Sequence, residues 1–221
     1  MIPLRSSERT YSPAIVTGVL IAINTALLLY EETLSRSGLE RFVYQWGIVP
    51  DRLHLSSLFT SMFLHAGWLH LLGNMLYLWV FGRNVEDLIG SGKYLAFYLL
   101  CGLCAAVVHV IFNPFSPTPT IGASGAIAGV LGAYLVKFPR SRIVSLVFLF
   151  IFVTTVDIPA AVLLVIWFAM NFFSGVGSLG ETDYTGGGTA YFAHIGGFVA
   201  GMLLIRLFPP KKRWRAWYEN Q

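Results

Sequence analysis

Residues 118–136, TPTIGASGAIAGVLGAYLV, set a Gly-x-Ser-Gly turn directly in front of an apolar helix. A serine at the head of a helix is ordinarily a cap for the first free N–H groups. The surroundings of this one are unusual. From Ser124 to the basic stop at Lys137 the helix measures about 21 Å at ~1.5 Å per residue, short of the ~30 Å hydrocarbon core of a bilayer. The segment before it, NPFSPTPTIGA (113–123), holds three prolines that forbid a continuing helix. If Lys137 and Arg140 fix the helix at one membrane face, its start lies roughly 10 Å below the other. Irregular backbone at that depth is tolerated only against protein or a watery cavity. Ser124 is thus expected at the bottom of a dip.

The membrane setting comes from composition. Apolar residues make up 56% of the 221 and charged residues 12%, against roughly 25% charged in a soluble domain. Runs of about 20 apolar residues predict spans at 14–31, 67–88, 93–113, 124–137, 158–177 and 191–208. The expected fold is therefore an all-α membrane protein of six spans, with a long loop between the first two. That loop, 32–66, contains RFVYQWGIVPDRLHLSSLFTSMF, whose mixed aromatics and arginines suit the membrane interface. The run IVSLVFLFIFVTTV (143–156) fits an interfacial, re-entrant or span-extending segment equally well. Three regions follow: a short cytoplasmic N-terminus (1–13), the six-span body (14–208) and a basic cytoplasmic tail (209–221).

Charge placement sets the orientation. With the N-terminus inside, every Lys and Arg except Arg36, Arg41 and Arg52 falls on the inner side. The formal charge of +4 is then a signature of topology and anionic lipid, and nucleic acid is excluded as a partner. Cys101 and Cys104 lie in one apolar run as small hydrophobes. The N-terminus has no transit signal, which points to a prokaryotic cell membrane.

Polar groups inside a membrane are costly and therefore functional by default. Here they are His65, His70, Asn74, Glu86, His109, Ser124, Asp157, Asn171 and His194. His194, Gly197 and Gly201 share one stripe of the last span, and Gly125, Gly129 and Gly132 give the fourth span a small-residue face. Packing these faces together brings Ser124 and His194 to hydrogen-bond distance, a nucleophile with its general base. No intramembrane Asp or Glu is placed to orient the histidine, since Glu86 and Asp157 lie toward the inner face, so the expectation is a dyad. His70 and Asn74, at i and i+4, share a face and with the Ser124 N–H would form an oxyanion hole. His109 and Asn171 have no evident partner, and His65 reads as an accessory of the loop. Asp157, just ahead of Pro159, reads as a boundary cap.

Four motifs together resemble the rhomboid family of intramembrane serine proteases. GASG (122–125) resembles its G-x-S-G, HLLGN (70–74) its H-x-x-x-N, AHIGGFVAG (193–201) its A-H-x-x-G-x-x-x-G and GRNVEDLIG (82–90) its G-x-x-x-E-x-x-x-G. The resemblance implies Ser124 as nucleophile, His194 as base, and His70, Asn74 and Ser124 at the oxyanion hole. It makes Gly197 and Gly201 packing positions, Gly122 and Gly125 structural members of the serine motif, and Glu86 a structural tie between helix ends. It implies cleavage of transmembrane segments of other membrane proteins, with no metal or other cofactor. Two departures stand out. Ser56-Ser57 replaces the family's Trp-Arg pair, and Ala128 stands where some members stack an aromatic on the histidine. The rival readings are a catalytically silent relative that binds transmembrane helices as chaperone or adaptor, and a small transporter built on a broken helix.

Overall fold

The computed structural model describes residues 2–149, 152–178 and 190–214. Strand β1 (Ile2–Ser6) leads to helix α1 (Ile15–Glu31) and the amphipathic α2 (Arg36–Trp46). A short α3 (Ser57–Thr60) precedes α4 (Trp68–Tyr77), which runs through a π-turn, Leu78–Gly82, into α5 (Arg83–Ile89). Then come α6 (Ser91–Phe112), α7 (Ser124–Lys137), the strands β2 (Arg142–Leu149) and β3 (Phe152–Pro159), α8 (Ala160–Gly177) and α9 (Tyr191–Leu204). Helices α6 and α8 are each long and apolar enough to cross a membrane, while α1, α7 and α9 are shorter apolar helices.

Helix α7 is the centre of the molecule. Every residue from Gly125 to Tyr134 is buried, although the helix has only 14 residues. Such a helix is solvated by its neighbours, so its length need not match a bilayer. Its glycines set the approach of α9. A Cβ on Gly129 would lie 3.1 Å from Gly197 O, and one on Gly132 or Gly201 would fall on the Phe198 or Gly129 carbonyl oxygen. The same Cβ on Gly129 would also fall on the Cys101 side chain of α6, and both cysteines are free.

The fold is not all-α. The run 143–156 forms an antiparallel hairpin, pairing Ile143 with Ile158 and Leu146 with Thr155. β1 adds a third strand, with Ile2 opposite Leu146 and Ser6 opposite Ile143. Val, Ile, Phe and Thr favour a pleated sheet, and the run is too short to cross as a helix. Asp157 accordingly sits within β3, opposite Val144, rather than capping a helix. Residues 150–151 lie outside the described set.

The terminal segments pack on the body as well. Ser6 Oγ is 2.5 Å from Tyr134 Oη, which is 2.8 Å from Ser141 Oγ, tying the sheet to the end of α7. The Tyr11 N–H donates to Asp87 Oδ2 at 2.9 Å, and Lys211 N–H to Leu88 O at 2.9 Å. Trp214 is buried against Tyr11 and Phe138. Of the basic tail, residues 215–221 lie outside the described set.

Glu86 joins three helices. Its carboxylate accepts from Val16 N (2.9 Å), Thr17 N (2.8 Å), Thr17 Oγ1 (2.7 Å) and Ser91 Oγ (2.6 Å), and the residue is 1% exposed. It thereby supplies acceptors for the orphan N–H groups at the start of α1 and for the first residue of α6. Both of its oxygens face donors only. Glu86→Gln must therefore turn an NH₂ toward them, and an expected loss of about 3 kcal/mol is read as a lowered thermal midpoint of the detergent-solubilised protein.

Candidate active site

The site is assembled where the loop 113–123 enters α7. Gly122 has φ +127°, a conformation few side-chain-bearing residues adopt. Its N–H donates to Ser61 O at 2.8 Å. The His70 ring fills the space where a Cβ would stand, with Cε1 2.7 Å and Nε2 2.9 Å from that point. One glycine thus allows both the turn and the approach of an imidazole to Ser124. The loop is further fixed by a two-bond bridge between Thr120 and Ile48 (2.7 and 2.9 Å), and by His109 Nε2 2.8 Å from Thr120 Oγ1. His109, which had no evident partner in the sequence, holds the approach to the serine.

Ser124 is the first residue of α7 and His194 lies in the first turn of α9. His194 Nε2 is 2.8 Å from Ser124 Oγ. The other ring nitrogen, Nδ1, is 2.7 Å from Oδ1 of Asn171 on α8, and the Trp167 ring lies with its centroid 5.7 Å from that of the imidazole. The sequence offers no intramembrane Asp or Glu to orient His194 and leaves open what does. An amide does, where a carboxylate was sought, and an aromatic comes from α8 although Ala128 offers none. Asn171 was visible as a costly polar residue in an apolar span, but its partner lies 23 residues away and no local spacing joins the two.

His70 and Asn74 point to the same region from successive turns of α4. The Ala66 N–H donates to His70 Nδ1 at 3.3 Å, which leaves the proton of a neutral His70 on Nε2, the ring nitrogen 2.9 Å from where a Gly122 Cβ would stand. Asn74 Nδ2 is 3.0 Å from His65 Nε2, so one amide proton is held by the loop histidine. A cavity of about 850 Å³ is lined by His65, His70, Asn74, Ser124 and His194. Ser57, where the family's Trp-Arg pair would fall, is buried and donates to His54 O at 2.6 Å.

Chemically, the arrangement places a hydroxyl against an imidazole nitrogen, at a helix N-terminus whose backbone N–H has no acceptor within the helix, beside two further side chains bearing N–H groups. Comparison with known proteins agrees with the motifs. A family model described as the Rhomboid domain matches residues 52–211. RHOMBOID-like protein 7 of Arabidopsis thaliana is 32% identical over 190 residues, covering 85% of this chain and 53% of that protein. Rhomboid protease GluP of Bacillus subtilis is 35% identical over 144 residues, 65% of this chain and 24% of the relative. Presenilin-associated rhomboid-like protein A, mitochondrial, of Danio rerio is 30% identical over 132 residues, 58% of this chain and 33% of the relative. The chain thus spans between about a quarter and a half of the length of these curated relatives. With bacterial, plant and mitochondrial proteins among them, the prokaryotic expectation gains no support. A matched domain over most of the chain, with relatives at this identity, makes the protein a membrane protein of the rhomboid family.

Proposed function

We propose that the protein is an intramembrane serine endopeptidase that cleaves the transmembrane segments of other membrane proteins. The observation that carries this reading is the 2.8 Å contact between Ser124 Oγ and His194 Nε2 beside an open cavity. In the proposed reaction Ser124 Oγ attacks the scissile carbonyl carbon while its proton passes to His194 Nε2. The carbonyl oxygen becomes an oxyanion within reach of the Ser124 N–H, His70 Nε2–H and the Asn74 amide. Collapse breaks the C–N bond, and His194 returns the proton to the leaving amine. Water then enters through the cavity, and the same base activates it to hydrolyse the acyl-enzyme. No metal or other cofactor takes part.

The proposal includes a six-span body over 14–208, with the hairpin and both termini on the inner side and 32–66 in the outer interface. Gly197 and Gly201 serve as packing positions, Gly122 and Gly125 as structural members of the serine motif, and Glu86 as a tie. A substrate helix enters laterally and unwinds, because a helical peptide bond is shielded by its own hydrogen bonds. The similarity to a relative named as a protease supports the reading.

The test reconstitutes the protein in lipid vesicles with a single-span reporter carrying a fluorophore at each end. Wild type is expected to release a fragment cut within or beside the reporter's span, and Ser124→Ala to release none. Stable association with the reporter without any cut would favour the silent, helix-binding relative instead.

A further inference from the structure

Which atoms meet between Asn171 and His194 follows from the far end of the amide. Asn171 Nδ2 lies 2.8 Å from the carbonyl oxygen of Trp167, one helical turn earlier. A carbonyl only accepts, so the amide end facing it is the NH₂ group, and the amide oxygen is left facing His194 Nδ1 at 2.7 Å. That oxygen also only accepts. The proton of a neutral His194 must therefore sit on Nδ1, and the lone pair on Nε2, the atom 2.8 Å from Ser124 Oγ. One backbone carbonyl on α8 thus fixes, through two hydrogen bonds, which nitrogen on α9 is basic.

We infer that Asn171 is a positioning residue, selecting the His194 tautomer and ring orientation that can take the Ser124 proton. The inference rests on the serine-protease reading above, and it adds Asn171 to an expected dyad as the group that orients its base. The amide suits its setting. Asn171 is 9% exposed, and a carboxylate buried there would need its own partners, whereas the amide supplies an acceptor without charge. The consequence is a base of limited strength, because a dipole stabilises the imidazolium formed during attack less than a charge would. Among the described residues, the titratable side chains whose charge acts on the ring are His70 on α4 and His109 on α6. Glu31 and Glu32 line the same cavity.

The experiment uses the full chain in detergent. Histidine ¹⁵N NMR, with His194→Gln to assign the signal, reads the tautomer directly and needs no activity. Wild-type His194 is expected to carry its neutral-form proton on Nδ1, and Asn171→Leu to move it toward Nε2. In parallel, the labelling rate with a fluorophosphonate is expected to fall about 10–100-fold in Asn171→Leu. In Asn171→Asp it should be retained, with the apparent pKa of the rate raised by about one unit. A packing role alone would not move that pKa. A wild-type His194 protonated on Nε2, or an Asn171→Leu variant that labels at the wild-type rate, overturns the inference. A wild type with the Nδ1–H tautomer that never labels upholds the positioning and sinks the protease reading, so the two failures are told apart.

Discussion

Ser124→Ala is expected to lower peptide-bond cleavage by about 10⁴–10⁶-fold, and His194→Ala by a similar factor, with the double variant no worse than either alone. The two groups act as a unit. Without the hydroxyl there is no nucleophile, and without Nε2, 2.8 Å away, the hydroxyl keeps its proton at neutral pH. Non-additivity is the informative part. If the serine and histidine merely cross-linked α7 and α9, each replacement would cost about the worth of one hydrogen bond and the reporter would still be cut. The measurement is fragment release from the single-span reporter in vesicles, scaled to folded protein. Cleavage that survives in Ser124→Ala would end the nucleophile assignment, whatever happened to stability.

Much of this site could be read from the sequence because its parts are locally spaced. Gly122, Ser124 and Gly125 are neighbours, His70 and Asn74 lie one turn apart, and the glycines of the last span fall at helical intervals from His194. Even the bounds of α7, Ser124 to Lys137, are those marked by the serine turn and the basic stop. The features that escaped depend on distant partners or on a missing period. The run 143–156 is apolar at nearly every position, so neither a helical nor a strand period shows. Its third strand comes from residues 2–6, at the start of the chain. Asn171 belongs to no motif. Its meaning depends on how α8 and α9 face each other, although an amide in an apolar span was itself a signal.

Gly201→Val is expected to lower stability sharply and to abolish labelling, because the site depends on how closely α7 and α9 approach. A Cβ at Gly201 would fall on the carbonyl oxygen of Gly129, with the Gly129 Cα only 2.6 Å away. The obstacle is backbone, which cannot rotate aside as the end of a flexible side chain can. Overpacking alone costs about 1–3 kcal/mol, and here the relief is to separate two helices along the seam that carries Ser124 and His194. Separation by about 1 Å would stretch their contact beyond the range of a good hydrogen bond. Labelling should therefore fail even in whatever fraction remains folded. Gly73→Ala is the control. Nothing lies within 4 Å of a Cβ at Gly73, and alanine is favoured over glycine in a helix by about 1 kcal/mol, so that variant should melt no lower than wild type and label normally. Thermal unfolding in detergent with parallel fluorophosphonate labelling reads both effects. Wild-type labelling by a folded Gly201→Val protein would show that the two helices need not touch for Ser124 to be activated.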